Sequence, residues 1–193
     1  MLRRLYDWTM SLAATRHAEK ALFGVSFAES SFFPIPPDVL LIPMVVAKPT
    51  HWIRLALVST FASVLGAVVG YAIGMFLYEL VGQPILALYG AENSFNRIAE
   101  WYNTWGGWGV LFAAITPFPY KVLTIFSGAT GLNFFVFMVV SIIGRSARFF
   151  LVAWLLGRYG EPIRVFIEKY LGLLFTLFMA LLLGGFYLVK FAF

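Results

Sequence analysis

Residues 55–81 form an apolar run long enough to cross a bilayer as one helix, and residues 133–157 and 171–189 form two more. Three such runs in a chain of 193 residues leave little sequence from which to build a water-facing surface. Composition agrees with that reading: 12% of the residues are charged and 61% hydrophobic, where an ordinary soluble domain has about 25% charged. A soluble fold would have to cover itself with 14 Lys and Arg and 9 Asp and Glu, so the excess apolar surface must face lipid. The expected fold class is an all-α integral membrane protein forming a single membrane domain.

Several kinds of chemistry fall away at once. The chain has no Cys, and its two His, His17 and His51, sit in polar segments, so no metal ligand set is expected and no cofactor is implied. No nucleophile stands beside a base and no glycine loop is shaped to cradle phosphate, so an enzyme is not expected. The net charge of +5 comes from cations scattered between apolar runs, which reads as membrane orientation and not as a nucleic-acid surface. Residues 1–20 mix Arg3, Arg4, Arg16 and Lys20 with Leu2, Leu5, Trp8 and Leu12, the pattern of an amphipathic helix lying on the membrane.

Two further apolar segments are interrupted. Residues 21–47 carry Glu29 and Asp38 and the prolines Pro34, Pro36, Pro37 and Pro43, a cluster that one straight helix cannot contain. Residues 106–131 carry Thr116, Pro117, Pro119 and Lys121 in their middle. Between the halves, residues 83–105 are polar by comparison, with Glu92, Asn93, Asn96, Arg97 and Glu100. A shift of 83 residues lays Pro34 on Pro117, Pro36 on Pro119 and Asp38 on Lys121, and each broken segment then precedes a spanning helix. The chain reads as an internal repeat.

Charge fixes the orientation of that repeat. If both broken segments are re-entrant hairpins, Arg3, Arg4, Arg16, Lys20, Lys48, Arg54, Arg158, Arg164 and Lys169 share one side, and Arg97 and Lys190 lie opposite. This satisfies the positive-inside rule, with the N-terminus cytoplasmic. Full crossings would set the first 20 residues apart from their fellow cations. The hairpins then enter from opposite faces, which makes an inverted-topology repeat with a C-terminal transmembrane helix at 171–189.

The candidate site residues follow from burial cost. Backbone freed by the hairpin-breaking prolines Pro34, Pro36, Pro37, Pro117 and Pro119 must be buried in protein or line a wet cavity. Glu29 and Asp38 beside such a break suit binding of a proton or a cation, or the holding of a basic residue; a structural ion pair, or a helix cap by Asp38, is the plainer alternative. Lys121 lies at the second break, deep enough to pair with Asp38 or to share a ligand with it. Arg145 and Arg148, spaced i, i+3, interrupt an apolar helix at about 2.5–3.5 kcal/mol each on the insertion scale, so they point inward. Their guanidinium forks suit phosphate or carboxylate, or pairing with Glu29, Asp38 or Glu79. The small residues Ser59, Ser63, Gly66, Gly70 and Gly74 form a stripe for close helix packing that also leaves a homodimer open.

Glu29 followed at +5 by Pro34, at +7 by Pro36 and at +9 by Asp38 resembles the first signature of the DedA family, also called the SNARE-associated or VTT-domain family. The wording ESSFFPIPPD is similar to its YqaA-like bacterial branch. The resemblance covers residues 20–160 and implies two opposed re-entrant hairpins, each followed by a helix. It also implies membership in a group linked to moving lipids between leaflets, in which acidic residues of the first hairpin and basic residues of the second are functional. On this chain those are Glu29, Asp38 and Lys121. The family's second signature sets an Arg three residues either side of a hairpin proline, and here Pro119 has Thr116 and Val122 at those places. The expected function is a transporter or scramblase, a flippase in the broad sense, that moves an anionic, phosphate-bearing membrane lipid and is coupled to protons. A proton- or ion-coupled small-solute transporter and a non-transporting membrane scaffold are the alternatives.

Overall fold

The structure, a computed structural model, describes residues 17–32, 36–116, 119–160 and 162. The expected surface helix at 1–20, all but its last four residues, lies outside that set, as do the 171–189 helix, Pro34 and Pro117. Every described element is a helix: α1 (Ala18–Ser31), α2 (Asp38–Ala47), α3 (Trp52–Leu77), α4 (Gln83–Leu88), α5 (Glu92–Ile115), α6 (Tyr120–Ala129) and α7 (Phe134–Tyr159). A 3₁₀ turn, Pro49–His51, leads into α3, and a π turn, Tyr78–Gly82, joins it to α4.

Local chemistry explains the boundaries. Pro36 and Pro37 separate α1 from α2, and Pro119 stands between α5 and α6, as proline's missing N–H requires. Pro43 departs from expectation. It lies inside α2 without breaking it, because a helix buried on nearly every side is held by its neighbours where an exposed one would kink. The Asn133 side chain caps α7 by accepting from the Val136 N–H at 3.1 Å, and Gly160, with φ +58°, ends it. The polar stretch 83–105 is helical: α4 occupies its start, and α5 begins at Glu92 and runs unbroken past residue 106 to Ile115.

The helical stretch Pro49–Tyr89 and helix α7 are long and apolar enough to cross a membrane. Each has a two-sided character. On α3, Leu57, Phe61, Leu65, Val69 and Phe76 are exposed, whereas Ser59, Ser63, Gly66, Gly70 and Gly74 are buried. On α7, Phe135, Val139, Ile142 and Leu151 are exposed and Arg145 is fully buried. Apolar residues outside and a charge at the centre reverse the pattern of a soluble protein.

The glycine stripe sets the helix spacing. A Cβ on Gly66 would strike the Phe27 carbonyl, one on Gly74 the Ile125 carbonyl, and one on Gly128 of α6 the Tyr71 carbonyl. So α1 and α6 lie backbone to backbone against α3, and the stripe is occupied within the chain.

Contacts also fix direction. Along α1 and α3, Glu19 meets Arg54, Phe23 meets Phe61 and Phe27 meets Gly66, so these helices run the same way. The chain therefore returns over α2 to the level at which α1 began. Along α3 and α7, Trp52 meets Phe150, Ser63 meets Arg145 and Tyr71 meets Phe137, an antiparallel pair. Helix α5 runs with α7, Gly107 beside Val136 and Ala114 beside Gly144. Helix α6 doubles back along α5, with Tyr102 bonded to Ser127 and Asn103 to the Thr130 carbonyl.

Two apolar clusters result. One joins Leu22, Leu40, Leu41, Val45, Leu55, Phe149 and Leu156; the other joins Ala67, Val110, Ala113, Tyr120 and Phe137. On α3 the first lies around residue 55 and the second around 67, on α7 around 149–156 and 137. Ser63 and Arg145 fall between them, and a polar seam crosses the protein there.

Candidate functional site

The seam is built from the breaks. Helix α1 ends at Ser31, which leaves Glu29, Ser30 and Ser31 on its last turn, and α3 brings Ser63 beside them. Arg145 arrives from α7, where Gly144 admits α5 closely enough that a Cβ there would lie 2.5 Å from that of Ala114. The guanidinium is wholly buried. Its Nε donates to Ser63 Oγ at 2.5 Å and its Nη2 to Glu29 Oε2 at 2.8 Å. Ser63 and Ser30 hydroxyls are 2.6 Å apart, and Ser30 donates to Glu29 Oε2 at 3.1 Å. A single ordering of protons, from Arg145 through Ser63 and Ser30 to Glu29, satisfies the ring. The guanidinium lies over the rings of Tyr120 and Phe149, whose centroids are 4.8 and 4.6 Å from its central carbon.

Arg148, one turn on, does a different task. Its Nη2 pairs with Asp38 Oδ2 at 2.5 Å, and its Nη1 donates to the Thr116 carbonyl at 3.0 Å. Asp38 opens α2 and Thr116 closes α5, so one guanidinium ties the two breaks together. Thr124 adds a second tie, with its hydroxyl 3.1 Å from the Ser30 carbonyl. The two ion pairs differ in access. Arg145 is 0% and Glu29 12% exposed, whereas Arg148 and Asp38 are 15% and 12% exposed, so the Asp38 pair touches the outside from both partners.

The structure thus brings Glu29, Asp38, Arg145 and Arg148 together, and it sorts the alternatives the sequence left open. Asp38 is not a side-chain cap for α2, and it forms an ion pair with Arg148, one of the pairings open to the arginines. Arg148 can hold that carboxylate and the Thr116 carbonyl together because its planar fork presents two nitrogens. Lys121, second residue of α6 and half-buried, holds the place in the second half that Asp38 holds in the first. Glu79 is exposed on the π turn, away from both arginines. Pro36, Pro37 and Pro119 flank the breaks as expected.

Ser30, Ser63, Thr124, Tyr120 and Phe149 were not singled out as site residues from sequence. Ser63 was visible only as a small member of the glycine stripe, and a hydroxyl among glycines on a buried face was the available signal. Trp52 packs edge-on to Phe150 and against Gly157.

A model of the VTT domain matches residues 35–159, well over half of the chain. The chain belongs to the VTT-domain family. The expected resemblance is borne out, and this VTT-domain protein is a helical membrane protein. A Haemophilus influenzae protein described as uncharacterized is 39% identical over 165 residues, covering 86% of this chain and 85% of its own. A Histophilus somni protein, also described as uncharacterized, is 38% identical over 168 residues, covering 85% of this chain and 87% of its own. An uncharacterized protein of Methanocaldococcus jannaschii is 28% identical over 127 residues, covering 66% and 76%. No solved structure matches the chain. The VTT match takes in Asp38, Lys121, Arg145 and Arg148, while Glu29 and Ser30 precede it.

Proposed function

We propose that this VTT-domain protein moves an anionic, phosphate-bearing lipid between the leaflets of a bacterial cytoplasmic membrane, its N-terminus on the cytoplasmic side and its movement coupled to protons. The observation that carries the reading is the partly exposed Asp38–Arg148 pair at the meeting of the two breaks. A phosphate offers Arg148 the same two-oxygen partner that Asp38 offers, with more charge. Headgroup entry then displaces the carboxylate, and a proton taken up by Asp38 keeps it neutral while the arginine is engaged. Lys121, at the equivalent point of the other half, adds positive charge for the headgroup. The Glu29–Arg145 ring, its arginine fully buried, holds α1, α3 and α7 in register around that event, and Glu29 is the second carboxylate that takes up a proton.

The path of the chain supports an inverted pair of re-entrant hairpins. Helix α1 has 14 residues, about 21 Å, too short for a hydrocarbon core of about 30 Å, and α3 restarts at its level. The order of a broken helix, a helix of 10 residues and a helix of 26 recurs in α5 to α7, running the opposite way to α1 and α3. Lys48 and Arg54, at the returned end of the first hairpin, carry cations on the same side as Lys20.

The test is leaflet exchange in vesicles reconstituted with the full chain and a fluorescent anionic phospholipid, read by chemical quenching of the outer leaflet. Wild type exchanges the probe, and Arg148→Ala and Asp38→Asn slow it at unchanged incorporation. Exchange equal in wild type and Arg148→Ala refutes the reading. A proton-gradient flux of a small solute that ignores lipid composition favours a solute transporter instead.

A further inference from the structure

We infer that the polar seam holds a file of buried water that carries protons to Glu29. Seven fully enclosed side-chain atoms among the described residues lack a hydrogen-bond partner, and six of them belong to residues of the seam or one turn from it: Ser26 Oγ, Asp38 Oδ1, Ser59 Oγ, Tyr120 OH, Ser141 Oγ and Arg145 Nη1. An orphaned buried polar atom costs about 1–3 kcal/mol or more, so six around one seam point to water as their partner.

Their placement is ordered along the membrane normal. Ser26 lies one turn before Ser30 on α1, and Ser59 lies one turn before Ser63 on α3, both on the side where Glu19 meets Arg54. Ser141 lies one turn before Arg145 on α7, which runs against α3, so it falls on the far side. Tyr120 joins it there, in the cluster with Ala67, and its hydroxyl is close to that of Ser141. From the level of Ser59 to that of Ala67 is about 12 Å of helix. The Glu29–Arg145 ring sits in the middle of that length, with orphaned hydroxyls above and below.

Charge identifies the guest. The titratable and charged groups at the seam are Glu29 on α1, Asp38 on α2, Tyr102 on α5, Tyr120 and the half-buried Lys121 on α6, and Arg145 and Arg148 on α7; the two carboxylates pair one to one with the two guanidiniums. Carboxylates already paired leave no call for a metal cation, and hydroxyls that both donate and accept call for water, which makes about three bonds in such sites. Each hydroxyl or water in the file takes one proton and passes another, and the last is taken by a Glu29 oxygen, which frees Arg145 Nη2. The proton-carrying role rests on the proton coupling proposed above; the presence of water does not.

Radiolytic hydroxyl-radical labelling of the full chain in detergent reads the water directly, because radicals form from water bound beside the target. Tyr120 and Leu156 are both 0% exposed, but Leu156 lies in the other apolar cluster, about three turns beyond Arg145 on α7. With each corrected for its intrinsic reactivity, Tyr120 is expected to be labelled several-fold above Leu156, and Ser141→Val, which fills the space with methyl groups, is expected to bring it down to the Leu156 level. Equal labelling of Tyr120 and Leu156 in the wild type overturns the inference. Proton entry into vesicles loaded with a pH-sensitive dye then tests the route: Ser59→Val and Ser141→Val are each expected to slow it severalfold, and rates equal to wild type overturn proton carriage. Labelled Tyr120 and slowed proton entry with no lipid exchange leave the water file standing and sink only the lipid reading.

Discussion

Removing Arg145 tests whether the enclosed ion pair is held by mutual need. In Arg145→Met the apolar stem keeps much of its packing between Tyr120 and Phe149, but Glu29, 12% exposed, loses its charge partner at 2.8 Å. Breaking a buried pair from one side costs about 3–5 kcal/mol, because the remaining charge is uncompensated. Ser63 and Ser30 keep their own 2.6 Å bond, so little is added by the lost Nε contact. In Glu29→Gln/Arg145→Met no charge remains, and the amide still accepts from Ser30. The expected cost of the double variant is about 1–2 kcal/mol, less than that of Arg145→Met alone, which gives a coupling of at least about 2 kcal/mol. Reversible unfolding in mixed micelles, followed by tryptophan fluorescence, measures all four corners of the cycle. A double variant as unstable as the sum of the two single changes would show that the pair contributes nothing beyond its separate members, and the account of the ring fails with it.

Other outcomes follow from the same geometry. Gly66→Ala drives a methyl group into the Phe27 carbonyl and is expected to cost about 1–3 kcal/mol, whereas Gly24→Ala, with nothing within 4 Å, is expected to be neutral or to stabilise α1 by up to about 1 kcal/mol; thermal melts in detergent compare them. Arg148→Lys keeps a charge for Asp38 but releases the Thr116 carbonyl, so it is expected to lose about 1–3 kcal/mol and to slow lipid exchange, while Arg148→Ala loses more of both. The Glu19–Arg54 pair is exposed at 38% and 66%, and Arg54→Ala is expected to change stability by less than about 1 kcal/mol, with the difference vanishing at high salt.

The breaks were legible because proline acts locally. Pro36, Pro37 and Pro119 lack an N–H whatever surrounds them, and the helices stop there. Pro43 shows the limit of that rule: whether an interior proline ends a helix depends on how firmly neighbours hold the turn, which residues 38–47 do not record. The inward turn of Arg145 and Arg148 was legible for an equally general reason, the cost of a guanidinium in hydrocarbon. Their partners were not. Glu29 and Asp38 stand more than one hundred positions away along the chain, and spacing on α7 alone cannot say which carboxylate each arginine meets. The helical form of the stretch at 83–105 was not legible, because helix formation in α5 is set by packing of its apolar second half as much as by its polar start.

What the amino-acid order determined by itself is therefore the solvent and the punctuation: an apolar exterior of helical length that only lipid accommodates, and prolines that interrupt two segments in the same rhythm. What the tertiary structure alone decided is which charges face one another. Arg145 goes to Glu29 and Arg148 bridges Asp38 to the Thr116 carbonyl, because glycines on α3 and α7 let backbones approach until those side chains are the ones within reach. Proximity of that kind is a property of packed helices, and no single stretch of the sequence carries it.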